Sequence, residues 1–169
     1  MGLDIHFYKQ KRLDGREKKV CKHLESKYKE LSKAIVHLED LGNNDATLDK
    51  LYAEKKKCSL DVRNLTEFSE VAYFRKVNFL VRHFGYEENL SEVLISREDI
   101  ESLVEKCKLV LENHELARDL LPTIEGFFFG SLEYDELYFE DVEEVLHEFE
   151  RILSETNFDT HEIRMWCWW

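Results

Sequence analysis

The sequence predicts an α+β fold, mostly helical, with a small β-sheet packed by several helices and an antiparallel helical hairpin inserted into it. Three observations carry that reading. Leu3, Ile5 and Phe7 alternate with polar neighbours, the period-2 signature of a half-buried strand. Two long stretches repeat apolar residues at steps of three and four, separated by Gly42-Asn43-Asn44-Asp45. A third such stretch, near the C-terminus, sets an apolar stripe against acidic faces. With 43% hydrophobic residues, 36% charged and a single proline, the composition is that of a folded chain. At 169 residues it fits one domain, 1–169, with the hairpin at 16–64 inside it.

The elements follow in order. After the first strand, residues 16–41 carry Leu24, Tyr28, Leu31, Ile35 and Leu38 in a coiled-coil-like stripe. Gly42 supplies a positive-φ stop and Asp45 an N-cap. Leu48, Leu51, Lys55, Cys58, Val62 and Leu65 then repeat the pattern, with Lys55 interrupting the seam. The hairpin so formed is also the surface expected for any self-association. Asn64 to Glu67 either caps a new helix or lets the second continue, and Val71 to Phe84 is predicted helical, with Phe74, Val77, Val81 and Phe84 buried and Gly85 as its end. Glu92 to Ile95 is a short strand. Ser96 and Asp99 open a helix carried by Ile100, Leu103, Val104, Cys107, Val110 and Leu111, interrupted at Asn113. A short helix closes before Pro122, and Phe127 to Phe129 form a buried strand or an extended turn. The last helix turns Tyr138, Val142, Val145, Leu146, Phe149, Ile152 and Leu153 to the core. The tail holds all three tryptophans, Trp166, Trp168 and Trp169, which either form an interaction patch, cover the body or end an edge strand.

Several function classes are excluded. No apolar run reaches the roughly 18 residues of a membrane span, and Asp4 stands where a signal peptide would be basic then apolar, so a cytosolic protein without a membrane partner is expected. Cys21, Cys58, Cys107 and Cys167 form no C-x-x-C pair, and the histidines have no i, i+4 spacing, so no metal and no cofactor is expected.

The formal charge of −12 is concentrated: eleven acids and no Lys or Arg fall between Asp119 and Glu150, while bases crowd Lys9 to Lys33. An acidic pole of this kind repels nucleic acid, or imitates it towards a basic partner; a solvated helix face is the plainer account.

Two constellations could bind a ligand. Tyr73, Arg75, Lys76, Asn78 and Arg82 set cationic donors beside aromatic rings, a chemistry that suits phosphate and a stacked base. Arg75 and Arg82 could equally neutralise the acidic segment by pairing with Glu133 or Asp135. Gly126 to Ser131, with Phe127, Phe129 and Ser131, lets backbone approach a ligand closely, and Glu133, Asp135 and Glu136 follow it. Those three carboxylates could alternatively hold a hard cation for hydrolysis.

At these residues the chain resembles a family of uncharacterised phage and prophage proteins. The resemblance lies in Met1-Gly2-Leu3-Asp4, in Glu70-Val71-Ala72-Tyr73-Phe74-Arg75-Lys76-Val77-Asn78, in Ser96-Arg97-Glu98, and in the stretch from Leu120 to Glu136 with its Leu-Leu-Pro-Thr, Gly-Phe-Phe-Phe-Gly-Ser and Glu-Tyr-Asp-Glu segments. It covers about half the chain and leaves out the hairpin. Phe74 and Val77 stand where the family has Trp and Ala, and Leu132 where it has Thr. The resemblance implies a phage protein acting in the host cytoplasm; it brings no catalytic residue.

By analogy with small phage accessory proteins, the leading expectation is a counter-defence binding protein that sequesters a nucleotide-derived host immune signal without turnover, through Tyr73, Arg75, Lys76, Asn78, Arg82, Phe127, Phe129 and Ser131. The second is an anti-CRISPR-like acidic inhibitor that blocks the basic nucleic-acid-binding surface of a host defence protein with Glu133, Asp135, Glu136, Glu140, Glu143 and Glu144. A metal-dependent hydrolase is the third.

Overall fold

Residues 4–11 form strand β1 because their apolar members fall on one side: Leu3, Ile5 and Phe7 are fully buried, whereas Asp4 and His6 are not. The structure, a computed structural model, describes residues 2–42, 46–86, 92–126 and 128–169. The turn expected at Asn43 to Asp45, with its N-cap, and the ligand contact expected at Phe127 lie outside these residues. Contacts divide the chain into two units, Met1–Gln10 with Ser69–Trp169, and Lys11–Phe68.

The second unit is the antiparallel hairpin. Helix α1 (Gly15–Asp40) starts at a capping box: Asp14 Oδ1 accepts from the backbone N–H of Arg16 and Glu17, and Glu17 Oε2 accepts from the Asp14 N–H at 3.0 Å. Gly42, at φ +73°, follows its end. Helix α2 (Ala46–Thr66) packs on α1, and Cys21 and Ile35 of α1 and Leu48 and Cys58 of α2 are buried. Lys55, the break in the seam, places its ammonium 5.0 Å from the Tyr28 ring centroid, and Lys27 pairs with Glu54 at 2.6 Å. Thr66 ends α2, so the second helix does continue through Asn64.

In the first unit β1 joins β2 (Ser69–Arg75), β3 (Glu92–Ile95) and β4 (His161–Trp168) in a sheet of order β2-β1-β4-β3. The helix expected over Val71 to Phe84 is not formed: Ser69–Arg75 is strand β2, and only Asn78–His83 is helical, as α3. Ala72 and Phe74 are buried while Tyr73 and Arg75 are exposed, and antiparallel pairing sets Phe74 opposite Ile5 and Tyr73 opposite His6. The apolar residues that imitate a helical stripe are buried from two different elements.

Strand β3 (Glu92–Ile95) precedes α4 (Arg97–Glu112), which opens at the Ser96–Asp99 capping box as expected. Asn113 ends α4 and caps a 3-10 turn at His114–Leu116, and α5 (Ala117–Leu120) follows. Phe128 and Phe129 lie in a turn, not a strand, with the Phe129 N–H bonded to the Gly126 carbonyl at 3.1 Å. Helix α6 (Glu136–Glu155) buries Tyr138, Val142, Val145, Phe149 and Ile152. Phe149 meets Phe7 edge-on at 4.9 Å and stacks on Phe74 at 6.0 Å, which joins α6 to the sheet; a ring buried in this way contributes about 2 kcal/mol.

The tail is strand β4 (His161–Trp168), and it is interior rather than an edge, lying between β1 and β3. Ile163, Met165 and Cys167 are fully buried, the alternation an internal strand over a helical layer requires. Trp169 does cover the body, its ring edge-on to Phe129 at 5.2 Å and Tyr86 at 5.7 Å. All four cysteines are free and buried, and burial pushes the thiols of Cys107 and Cys167 up to about 12, so both are inert. Among the described residues no helix is long and apolar enough to cross a membrane.

Candidate functional site

Strand β2 hands over to α3 through a reversal at Lys76, a non-glycine residue at φ +64° whose N–H donates to the Leu3 carbonyl at 2.8 Å. The reversal turns Asn78 inward, where it is 3% exposed. Its amide nitrogen donates to the carbonyls of Phe129 (3.2 Å) and Ser131 (2.9 Å), and its oxygen accepts from the Ile124 N–H at 3.2 Å. One side chain thereby holds the loop between α5 and α6. Gly130 completes the fit at φ +96°: a Cβ there would lie 3.0 Å from Lys76 Cβ and 3.3 Å from its carbonyl oxygen. Thr123 and Tyr134 tie the loop to itself, and the Tyr138 hydroxyl donates to the Leu121 carbonyl at 2.7 Å. Asp135 caps α6 by accepting from the Tyr138 N–H at 3.1 Å.

This arrangement leaves a cleft of about 310 Å³, lined among others by Lys76, Ser131, Glu133, Asp135, Glu140 and Asp141. The lining residues include four carboxylates and one lysine. Asp141 is half-buried, and desolvation, reinforced by Glu144, Glu140 and Asp135, pushes its carboxyl up to about 6. Like charges held together in a partly dry site favour a cation, whether a proton, a guanidinium or an ammonium. Running on from the cleft, Glu136, Glu140, Glu143 and Glu144 fall at i, i+4, i+7 and i+8 of α6 and are all exposed, an acidic stripe that starts at the cleft through Glu140. Among the described residues no group of three or more His, Cys, Asp or Glu side chains is placed to hold a metal ion.

The residues expected to bind a nucleotide are dispersed. Lys76, Asn78 and Ser131 line the cleft, and the Asn78 amide is hydrogen-bonded to backbone through both its nitrogen and its oxygen. Phe129 is buried under Trp169. Arg82 is exposed on α3, and because residues 69–75 are a strand it shares no helical face with Arg75. Tyr73 and Arg75 stand on the face of the sheet opposite the one against which α6 packs. Arg75 approaches Asp4, at 3.9 Å, and among the described residues no ion pair joins Arg75 or Arg82 to Glu133 or Asp135. Of the acidic set, Glu133, Asp135 and Glu140 line the cleft, while Glu136, Glu143 and Glu144 lie along the stripe.

Sequence reasoning missed Asp141, His6 and Trp166. Asp141 had a signal: it lies three residues after Tyr138 and four before Val145, on the margin of the apolar stripe, where a carboxylate is out of place. His6 and Trp166 had none, since their rings meet only through strand pairing. No protein-family model, curated protein or solved structure matches the chain.

Proposed function

We propose that the protein is a stoichiometric binding protein whose acidic cleft and α6 stripe take up the cationic side chains of a basic partner. The observation that carries the reading is the cleft itself, in which Glu133, Asp135, Glu140 and Asp141 surround a space of side-chain size with Lys76 as the one base among its lining residues. An incoming guanidinium supplies the partner that Asp141 lacks among the described residues, and the exposed stripe beside it supplies long-range attraction. The resemblance to phage proteins adds the setting: the partner is a host defence protein, and the groove occupied is the one with which it holds nucleic acid. Such an inhibitor acts by occupancy and needs no turnover.

Titration calorimetry with an octa-arginine peptide tests this. Binding that weakens steeply as salt rises is expected, with affinity lowered about tenfold or more by the triple reversal Glu140→Lys, Glu143→Lys and Glu144→Lys. Unchanged affinity in that variant would sink the reading.

A further inference from the structure

We propose that the outer face of the sheet is a second binding site, for a ligand that joins a flat aromatic ring to an anionic group, the chemistry of a nucleotide. A row of rings crosses three strands there. Tyr73 on β2 stands opposite His6 on β1, their centroids 4.9 Å apart, and His6 meets Trp166 of β4 at 5.3 Å. Tyr8 lies parallel to His6 at 5.9 Å, and Trp168, two residues beyond Trp166, is 49% exposed. Tyr73 is 44% exposed, so the row is open to a ring laid upon it.

The anion has its own place at one end of the row. Arg75 follows Tyr73 by two residues and emerges on the same face. A Cβ at Gly2 would meet Lys76 Cε at 3.3 Å and Arg75 Nε at 3.4 Å, so both cationic side chains extend over the same glycine. The carboxylates of this face are already engaged. Asp4 accepts from the Tyr73 hydroxyl and Glu70 is hydrogen-bonded to His6 at 2.8 Å, while Arg164 pairs with Glu92 at 3.1 Å and with Glu162 at 2.9 Å. Lys76 has no ion pair among the described residues, and Arg75 has only its long contact with Asp4. Arg75 and Lys76 bring two cations together at the Gly2 corner, at the end of the aromatic row, with Asp4 as the carboxylate beside them. This site shares no carboxylate with the acidic stripe, though Lys76 also lines the cleft, and it keeps Tyr73, Arg75 and Lys76 from the expected constellation while replacing its remaining members with His6 and Trp166.

Adenosine monophosphate, adenosine and inorganic phosphate, titrated separately into the full chain and followed by tryptophan quenching and calorimetry, test the proposal. The expected result is quenching by the nucleotide, roughly tenfold weaker binding of adenosine, and weaker binding still of phosphate. Arg75→Gln with Lys76→Gln should bring the nucleotide down to the level of adenosine, whereas Tyr73→Ala should weaken both by about tenfold. No quenching and no heat with millimolar nucleotide, an affinity for phosphate equal to that for the nucleotide, or an affinity that climbs with the length of an oligoadenylate would each overturn it. Octa-arginine binding is expected to persist in Tyr73→Ala and in Arg75→Gln alone, since neither residue lines the cleft, so this proposal and the acidic-cleft reading fail separately.

Discussion

Asp141 shows what the cleft costs the fold. Its carboxyl titrates near 6, raised above its ordinary value of 3.8, so between those two values the folded protein binds more protons than the unfolded chain. Stability therefore falls as pH rises through that window, the reverse of the usual ion-paired carboxylate. Above it the penalty is fully present, ~1 kcal/mol after allowing for solvent screening at a half-exposed group. Asp141→Asn should accordingly be more stable than the parent at pH 7.5 and equal to it near pH 4, with weaker octa-arginine binding. Urea unfolding at the two values checks this, and a variant that is no more stable at pH 7.5 would remove Asp141 from the account. A half-buried carboxylate with like charges around it is the partner a cationic side chain entering the cleft would find.

At the scale of elements, the loop between α5 and α6 depends on a residue outside it. Asn78→Ala removes both donors and the acceptor at once, leaving the carbonyls of Phe129 and Ser131 and the N–H of Ile124 without their partner. A loss of about 3 kcal/mol is expected by urea unfolding, and a loss below about 1 kcal/mol would show that Gly130 and Tyr134 hold the loop without it. The sequence grouped Asn78 with Tyr73, Arg75, Lys76 and Arg82 as a ligand-binding set, because backbone acceptors more than fifty residues away are invisible to local spacing. The misplaced helix has the same origin. Phe74, Val77, Val81 and Phe84 satisfy a helical step as well as they satisfy burial from two elements, and only the pairing of Phe74 with Ile5 decides between them. Where signals are local, as in the Ser96–Asp99 box, the hairpin stripes or the apolar face of α6, the elements were readable within a residue or two. Of the site, the acidic stripe was legible as composition along one helix, whereas the cleft and the aromatic row exist only through contacts across the fold.

At the scale of the molecule, the insertion point of the hairpin is itself informative. Lys9 of β1 stands opposite Ser69 of β2, so the whole unit from Lys11 to Phe68 occupies the position of a turn between two antiparallel neighbours. The two units also differ in charge: the hairpin holds fourteen bases against eleven acids, the remainder ten against twenty-five. Each has its own apolar residues, Cys21, Ile35, Leu48 and Cys58 in the hairpin and a separate large core around Phe7, Phe79 and Phe149 in the other. Excising residues 11–68 and closing Gln10 to Ser69 with an Asn-Gly turn should therefore leave a cooperatively folding protein, since a shorter closure costs less chain entropy and the β1–β2 register is kept. The expected signs are a single thermal transition, a far-ultraviolet helix signal reduced by the loss of α1 and α2, and octa-arginine binding retained, because every carboxylate of the cleft and stripe remains. A chain that no longer melts cooperatively would show that the hairpin is part of the folding unit rather than an insertion in it, while a folded chain that no longer binds the peptide would move the recognition of a basic partner off α6.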